Sequence, residues 1–131
     1  MIKGINHKAF HVVDMERSLE FYCDKLGFEK AFELNSDAGE PWIVYVKVVE
    51  GTFIELFYGG EKGSRNRSEH ICFEVDDINE TAEEIKAKGI TLASDVKQGK
   101  SLDYQFWIQD PDGNWLEFME IHPDSPQRTF S

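Results

Sequence analysis

Cysteine is nearly absent: Cys23 and Cys72 are the only two in 131 residues. They have no Cys-x-x-Cys spacing, and two thiols do not build a disulfide framework, so a stapled secreted scaffold is excluded and a reducing cytoplasm fits. Basic charge is also scarce, with 14 Lys and Arg against 25 Asp and Glu, a net charge of −11. Such a surface repels phosphate backbones, and no nucleic-acid partner is expected. The one basic cluster, Lys62, Arg65 and Arg67, sits in a glycine-containing linker and reads as a solvated loop. No apolar run approaches a membrane span, and the first residues carry no signal-like apolar stretch. A soluble cytoplasmic protein without a membrane partner is the expectation. What is present is 40% hydrophobic and 13% aromatic residues, enough for a real core.

The content is a pattern written twice. His7-Lys-Ala-Phe10-His11-Val12 is matched by His70-Ile-Cys72-Phe73-Glu74-Val75, and Gly51-Thr-Phe53-Ile54-Glu55 by Gly113-Asn-Trp115-Leu116-Glu117. The offset is 63 residues at the histidines and 62 at the glutamates. A repeat of this length occurring only twice indicates fused half-domains rather than a solenoid. Each copy brings one His and one Glu to equivalent places.

Each copy reads as β-α-β-β-β. In the first (5–58), residues 5–13 form a strand and Asp14 caps a helix running to about Leu26. Leu19, Tyr22, Cys23 and Leu26 supply its apolar stripe, and Gly27 suits its C′ position. Strands follow over Phe28 to Leu34, Trp42 to Val49 and Phe53 to Tyr58. Residues 59–69 are a linker. In the second copy (70–121), Asp77 caps a helix whose stripe is Ile78, Ala82 and Ile85, and Gly89 ends it. Ile90 to Ala93 reads as a short strand and Ser94 to Asp103 as a polar loop. Tyr104 to Ile108 and Asn114 to Ile121 read as strands joined by the turn residues Asp110-Pro-Asp-Gly113. The tail, 122–131, looks irregular. The fold class is α+β: two tandem βαβββ modules in a single domain, 1–131, forming a curved mixed sheet with a metal-lined cleft.

Side chains alternate along a strand. If Ile54, Leu56, Leu116 and Phe118 face the helices, the opposite face collects His7, Glu55, His70 and Glu117. It also collects His11, Cys72, Glu74, Phe53, Phe57, Trp115 and Met119. A lone His or Glu on a strand is ordinarily a surface residue. Four at matched positions make a candidate metal site, with two imidazoles and two carboxylates suited to Zn, Ni, Co, Mn or Fe(II). Phe53, Phe57 and Trp115 would line the pocket, with His11 and Glu74 as substrate-binding candidates. Cys72 reads as a small buried hydrophobe.

This arrangement resembles the vicinal oxygen chelate superfamily of glyoxalases, bleomycin-resistance proteins and dioxygenases. The resemblance covers residues 5–121. Arg17-Ser-Leu-Glu-Phe-Tyr22, Lys25-Leu-Gly-Phe28, Ile54-Glu-Leu56, Glu69-His70-Ile71 and Asp110-Pro-Asp-Gly113 before Leu116-Glu117 are similar to bacterial glyoxalase I (lactoylglutathione lyase) in particular. The resemblance implies a divalent metal held by His7, Glu55, His70 and Glu117. It implies lyase or isomerase chemistry on a small α-oxo or α-hydroxy carbonyl compound, by proton transfer through a metal-bound enediolate. Glu117 would be the primary base, with Glu55 as ligand and second proton carrier. A homodimer is expected from the same resemblance. Extradiol-type dioxygenases would use only His7, His70 and Glu117, and a bleomycin-resistance-like protein would sequester a small molecule without metal. Relatives acting on a glutathione adduct carry Arg four residues after the first His and Asn four after the first Glu. His11 and Gly59 stand there instead, which points to a different thiol or none.

Overall fold

Alternating apolar residues set the strands, and turn residues set where they stop. The computed structural model describes residues 1–61 and 65–131, and Lys62 of the basic cluster lies outside them. The chain divides into two compact units, Met1–Ser64 and Arg65–Ser131.

The first unit runs β1 (His7–His11), α1 (Met15–Leu19), a π-helical turn (Glu20–Lys25), β2 (Glu29–Asn35), β3 (Pro41–Val49) and β4 (Thr52–Phe57). Its strands form one mixed sheet in the order β1-β4-β3-β2, with β1 parallel to β4 and the other pairs antiparallel. In β1, Phe10 is buried while His7, Ala9 and His11 are exposed, the alternation expected of a strand with one face on the core. Asp14 caps α1, accepting the Arg17 backbone N–H at 3.1 Å. Tyr22 stacks on Phe10 beneath the sheet, with ring centres 6.4 Å apart.

The expected helix stripe is corrected here. Met15, Ser18, Phe21 and Tyr22 are the buried residues, and Leu19, Cys23 and Leu26 are only partly so. Leu26 donates its N–H to the Phe21 carbonyl, five residues back, at 3.0 Å. That wider turn rotates the following side chains away from the positions an α-helix would give them. Gly27 ends the segment at φ 81°, the left-handed conformation expected of its C′ position. After β4, Gly60 passes so close to β1 that a Cβ there would lie 2.8 Å from backbone atoms of Val12.

The second unit repeats the plan with β5 (His70–Glu74), α2 (Ile78–Ala87), β6 (Ser94–Gln98), β7 (Tyr104–Gln109) and β8 (Trp115–Glu120), then α3 (Pro126–Phe130). The sheet order is β5-β8-β7-β6, again with the first pair parallel. The strands thus lie in two four-stranded mixed sheets, one per unit. Ile78, Ala82 and Ile85 are buried as their spacing predicts. Asp77 accepts the Asn79 and Glu80 N–H groups, and Glu120 on β8 accepts the Ile78 N–H at 2.9 Å, tying the helix start to the sheet. Asp110 closes the turn between β7 and β8 by accepting from the Asp112 and Asn114 N–H groups.

Two expectations fail in this unit. The strand predicted at 90–93 lies at Ser94–Gln98, inside the segment read as a polar loop. It is an edge strand paired only with β7, so it needs no apolar face. The tail is not irregular, because α3 is capped by Ser125 and held by Asp103. No helix among the described residues is long and apolar enough to cross a membrane.

Candidate functional site

Topology places one His–Glu pair in each unit. His7 and His70 lie on the edge strands β1 and β5, and Glu55 and Glu117 lie on the interior strands β4 and β8 beside them. Interior position buries the carboxylates: Glu55 is 5% exposed and Glu117 6%. The imidazoles stay more open. His7 Nε2 faces Glu55 Oε2 at 2.9 Å, and His70 Nε2 faces Glu117 Oε1 at 3.3 Å.

The outer ring nitrogens are engaged. His70 Nδ1 lies 3.0 Å from the Arg67 carbonyl oxygen. A carbonyl only accepts, so Nδ1 carries the proton. His7 Nδ1 is 2.7 Å from Asn6 Oδ1, the same arrangement with a side-chain acceptor. In a neutral ring Nε2 then presents a lone pair toward a carboxylate that also presents lone pairs. Two acceptors at this distance repel unless a cation joins them, either a proton on Nε2 or a metal ion. A fixed Nδ1–H with a free Nε2 is the tautomer that metal-binding histidines adopt. The donor set in each unit therefore fits a divalent metal, with imidazole nitrogen and carboxylate oxygen already adjacent. Among the described residues, no group of three or more His, Cys, Asp or Glu side chains is gathered closely enough to hold a metal ion.

The residues directly across from the two carboxylates differ. Tyr45 on β3 is opposite Glu55, and its hydroxyl donates to that carboxylate. The hydrogen bond first, then burial and the charge of Glu55, push the phenol above its ordinary value. Trp107 on β7 is opposite Glu117, and its buried Nε1–H has no hydrogen-bond partner among the described residues. Sequence reading missed both residues. Each sits in a correctly predicted strand, but which residue faces a glutamate depends on register, and strand periodicity carries no register.

The other candidates fall as follows. Phe53 packs edge-on against Tyr45 at 6.0 Å, and His11 lies against Phe57 at 5.2 Å. Trp115 packs against Trp107 and donates its Nε1–H to the Arg65 carbonyl at 3.2 Å. Glu74 meets Arg128 of α3 at 3.7 Å. Cys72 is an exposed residue rather than the buried hydrophobe expected. Partial burial of the thiol, the charge of Glu117 and a hydrogen bond to it, and the charges of Glu74 and Asp103 push it up to about 12. Cys72 is thus a protonated thiol, not a nucleophile, and its sulfur lies 3.9 Å from the Phe73 carbonyl oxygen. In the basic cluster Arg67 is exposed, as the solvated-loop reading expects, and its guanidinium carbon lies 4.4 Å from the Trp107 ring centre and 5.3 Å from that of Trp115.

The chain is similar in sequence and fold to known proteins. The chain is 32% identical to lactoylglutathione lyase of Haemophilus influenzae over 88% of its own length and 91% of that protein's. It is 29% identical to glyoxalase I of Saccharomyces cerevisiae over 88% of its length, and there it spans only 44% of the relative. A glyoxalase family protein from Enterococcus faecalis shares the fold, with a TM-score of 0.77 and 24% identity, covering 90% of this chain and 98% of that one. The repeated βαβββ plan, the matched His–Glu pairs and a family model matching residues 4–118 lead to one assignment: the chain belongs to the Glyoxalase/Bleomycin resistance protein/Dioxygenase superfamily.

Proposed function

We propose that the chain is a metal-dependent enzyme of the glyoxalase type, with His7, Glu55, His70 and Glu117 as metal ligands. The observation that carries this reading is the pair of Nε2–carboxylate contacts, each with Nδ1 engaged behind it. When bound, the ion would act as a Lewis acid toward a substrate carrying two neighbouring oxygens.

The chain's own residues divide the remaining work. Glu117 takes the proton from a carbon next to the substrate carbonyl and returns it to the adjoining carbon. Beside it stand Trp107, which offers no hydroxyl, and the Cys72 thiol, a weak donor, so less restrains this carboxylate. Glu55 is held by the Tyr45 phenol, a stronger donor, and serves mainly as a ligand and second proton carrier. The substrate class is a small α-oxo or α-hydroxy carbonyl compound, free or as a thiol adduct. A dioxygenase would leave Glu55 without a role, and a sequestering protein would leave both pairs without one.

Metal analysis of purified protein and its Glu117→Gln variant tests the reading. Bound divalent metal is expected in both. Exchange of substrate hydrogen with solvent, assayed with methylglyoxal and a small thiol, is expected only in the wild type. Wild-type protein that takes up no metal from metal-replete medium would overturn the proposal.

A further inference from the structure

Two hydrogen-bond donors in the second unit have no protein acceptor among the described residues. The first is Trp107 Nε1–H, on a residue only 7% exposed and without a partner. Burying an unsatisfied donor costs on the order of 1–3 kcal/mol, so native structures seldom leave one unless something else occupies the space. The second is the Arg67 guanidinium. Arg67 is exposed and makes no ion pair or hydrogen bond with another described residue, so its charge is open to an anion arriving from solvent.

Both donors belong to one cluster beside the His70–Glu117 pair. Arg67 stacks on Trp107 at 4.4 Å, and the His70 ring packs edge-on against the same indole at 4.6 Å. The guanidinium is therefore no farther from the His70 ring centre than the sum of those distances. Stacking occupies a face of the guanidinium and leaves its N–H edge for acceptors in its plane, the geometry that suits a carboxylate or a phosphate. The overall field matters too. A chain of net charge −11 repels anions, so one can bind only where a local cation reverses the potential.

We propose that Arg67 and Trp107 form an anion subsite beside His70 and Glu117, which binds a carboxylate or phosphate group carried by the substrate. This deepens the enzyme reading and rests on it for the word substrate; the subsite itself stands on the two donors. The substrate class becomes an α-oxo or α-hydroxy carbonyl compound bearing a negative charge.

Tryptophan fluorescence reads the subsite directly, because two of the three tryptophans, Trp107 and Trp115, lie under Arg67. The full chain is titrated with pyruvate, dihydroxyacetone phosphate and neutral dihydroxyacetone, and metal content is measured on the same preparation. Saturable binding of one of the anions at least tenfold tighter than dihydroxyacetone is expected, and which anion wins distinguishes carboxylate from phosphate. Arg67→Gln should remove the preference, and Trp107→Phe should weaken anion binding while Trp115 still reports. Lys88→Gln, which removes the same charge at the end of α2, should leave the preference intact. Equal binding of neutral and anionic probes, an unchanged preference in Arg67→Gln, or an equal loss in Lys88→Gln would overturn the subsite. Metal-free protein with an Arg67-dependent anion preference would sink the metalloenzyme reading and leave the subsite standing.

Discussion

Tyr45 stands across the sheet from Glu55 and donates its hydroxyl to that carboxylate, whereas Trp107, at the matching place in the second unit, offers Glu117 no hydroxyl. The two halves thus match in their His and Glu and differ in what restrains the Glu. Groups that hydrogen-bond metal ligands fix their orientation, and losing one costs roughly 10–100-fold in metal affinity or activity. Tyr45→Phe should therefore weaken metal binding about tenfold without unfolding the protein. Competition with a chromophoric chelator measures this, and an affinity equal to wild type would contradict the tethering of Glu55.

The second prediction concerns acid. Asp103 is fully buried, and burial alone would raise its carboxyl. Hydrogen bonds from the His122 backbone N–H, Ser125, Ser101 and the Gln127 side chain outweigh that and hold it below the ordinary carboxylate range. A carboxyl depressed by folding contributes stability at pH values above its unfolded value, and that contribution fades as pH falls through the folded value. The tail should accordingly loosen below the ordinary carboxylate range, seen as faster proteolytic clipping after residue 122. Asp103→Asn should give the fast clipping already at pH 7 and cost about 1–3 kcal/mol, because an amide cannot accept from all four donors. Clipping that stays slow in the variant at pH 7 would count against the latch.

Gly60 supplies a packing prediction. Its N–H donates to the Val12 carbonyl at 2.9 Å, and a Cβ would meet the Val12 backbone at 2.8 Å. Backbone cannot step aside as a flexible side chain does, so Gly60→Ala should lower stability by about 1–3 kcal/mol. Gly4→Ala, where nothing lies within 4 Å, should be close to neutral. Urea midpoints of the two variants decide it, and equal midpoints would show that the linker is not pinned to β1.

Cys72 is a chemical probe of the electrostatics around Glu117. With its thiol pushed up to about 12, its thiolate fraction at pH 8 falls roughly a thousandfold below that of an ordinary cysteine. Iodoacetamide should label Cys72 far more slowly than a free thiol despite its exposure. Labelling at the rate of free cysteine would mean that the carboxylates do not crowd the sulfur.

Much of this architecture was legible in the sequence because it obeys short periods. Alternation put Phe10 inside and His7 outside, and the matched copies picked out Glu55 and Glu117 from 25 acidic residues. What escaped depends on contacts distant in the chain. β6 carries no apolar pattern because it only borders β7. α3 exists because Asp103, more than twenty residues earlier, takes up Ser125 and Gln127. Arg67 is solvated as read, but its contact with two indoles escaped, because a charged loop residue gives no sign of the rings that fold up beneath it.

Arg67 enters the second unit twice. Its carbonyl oxygen receives His70 Nδ1–H, and its side chain rests on Trp107. Three peptide links connect the atom that sets the imidazole's tautomer to the imidazole itself. The composition of that short stretch is free to drift, but its length is not: an inserted or deleted residue would turn the ring and displace the guanidinium in one event. The orientation of the imidazole and the place of the guanidinium are thus geared to the same few bonds.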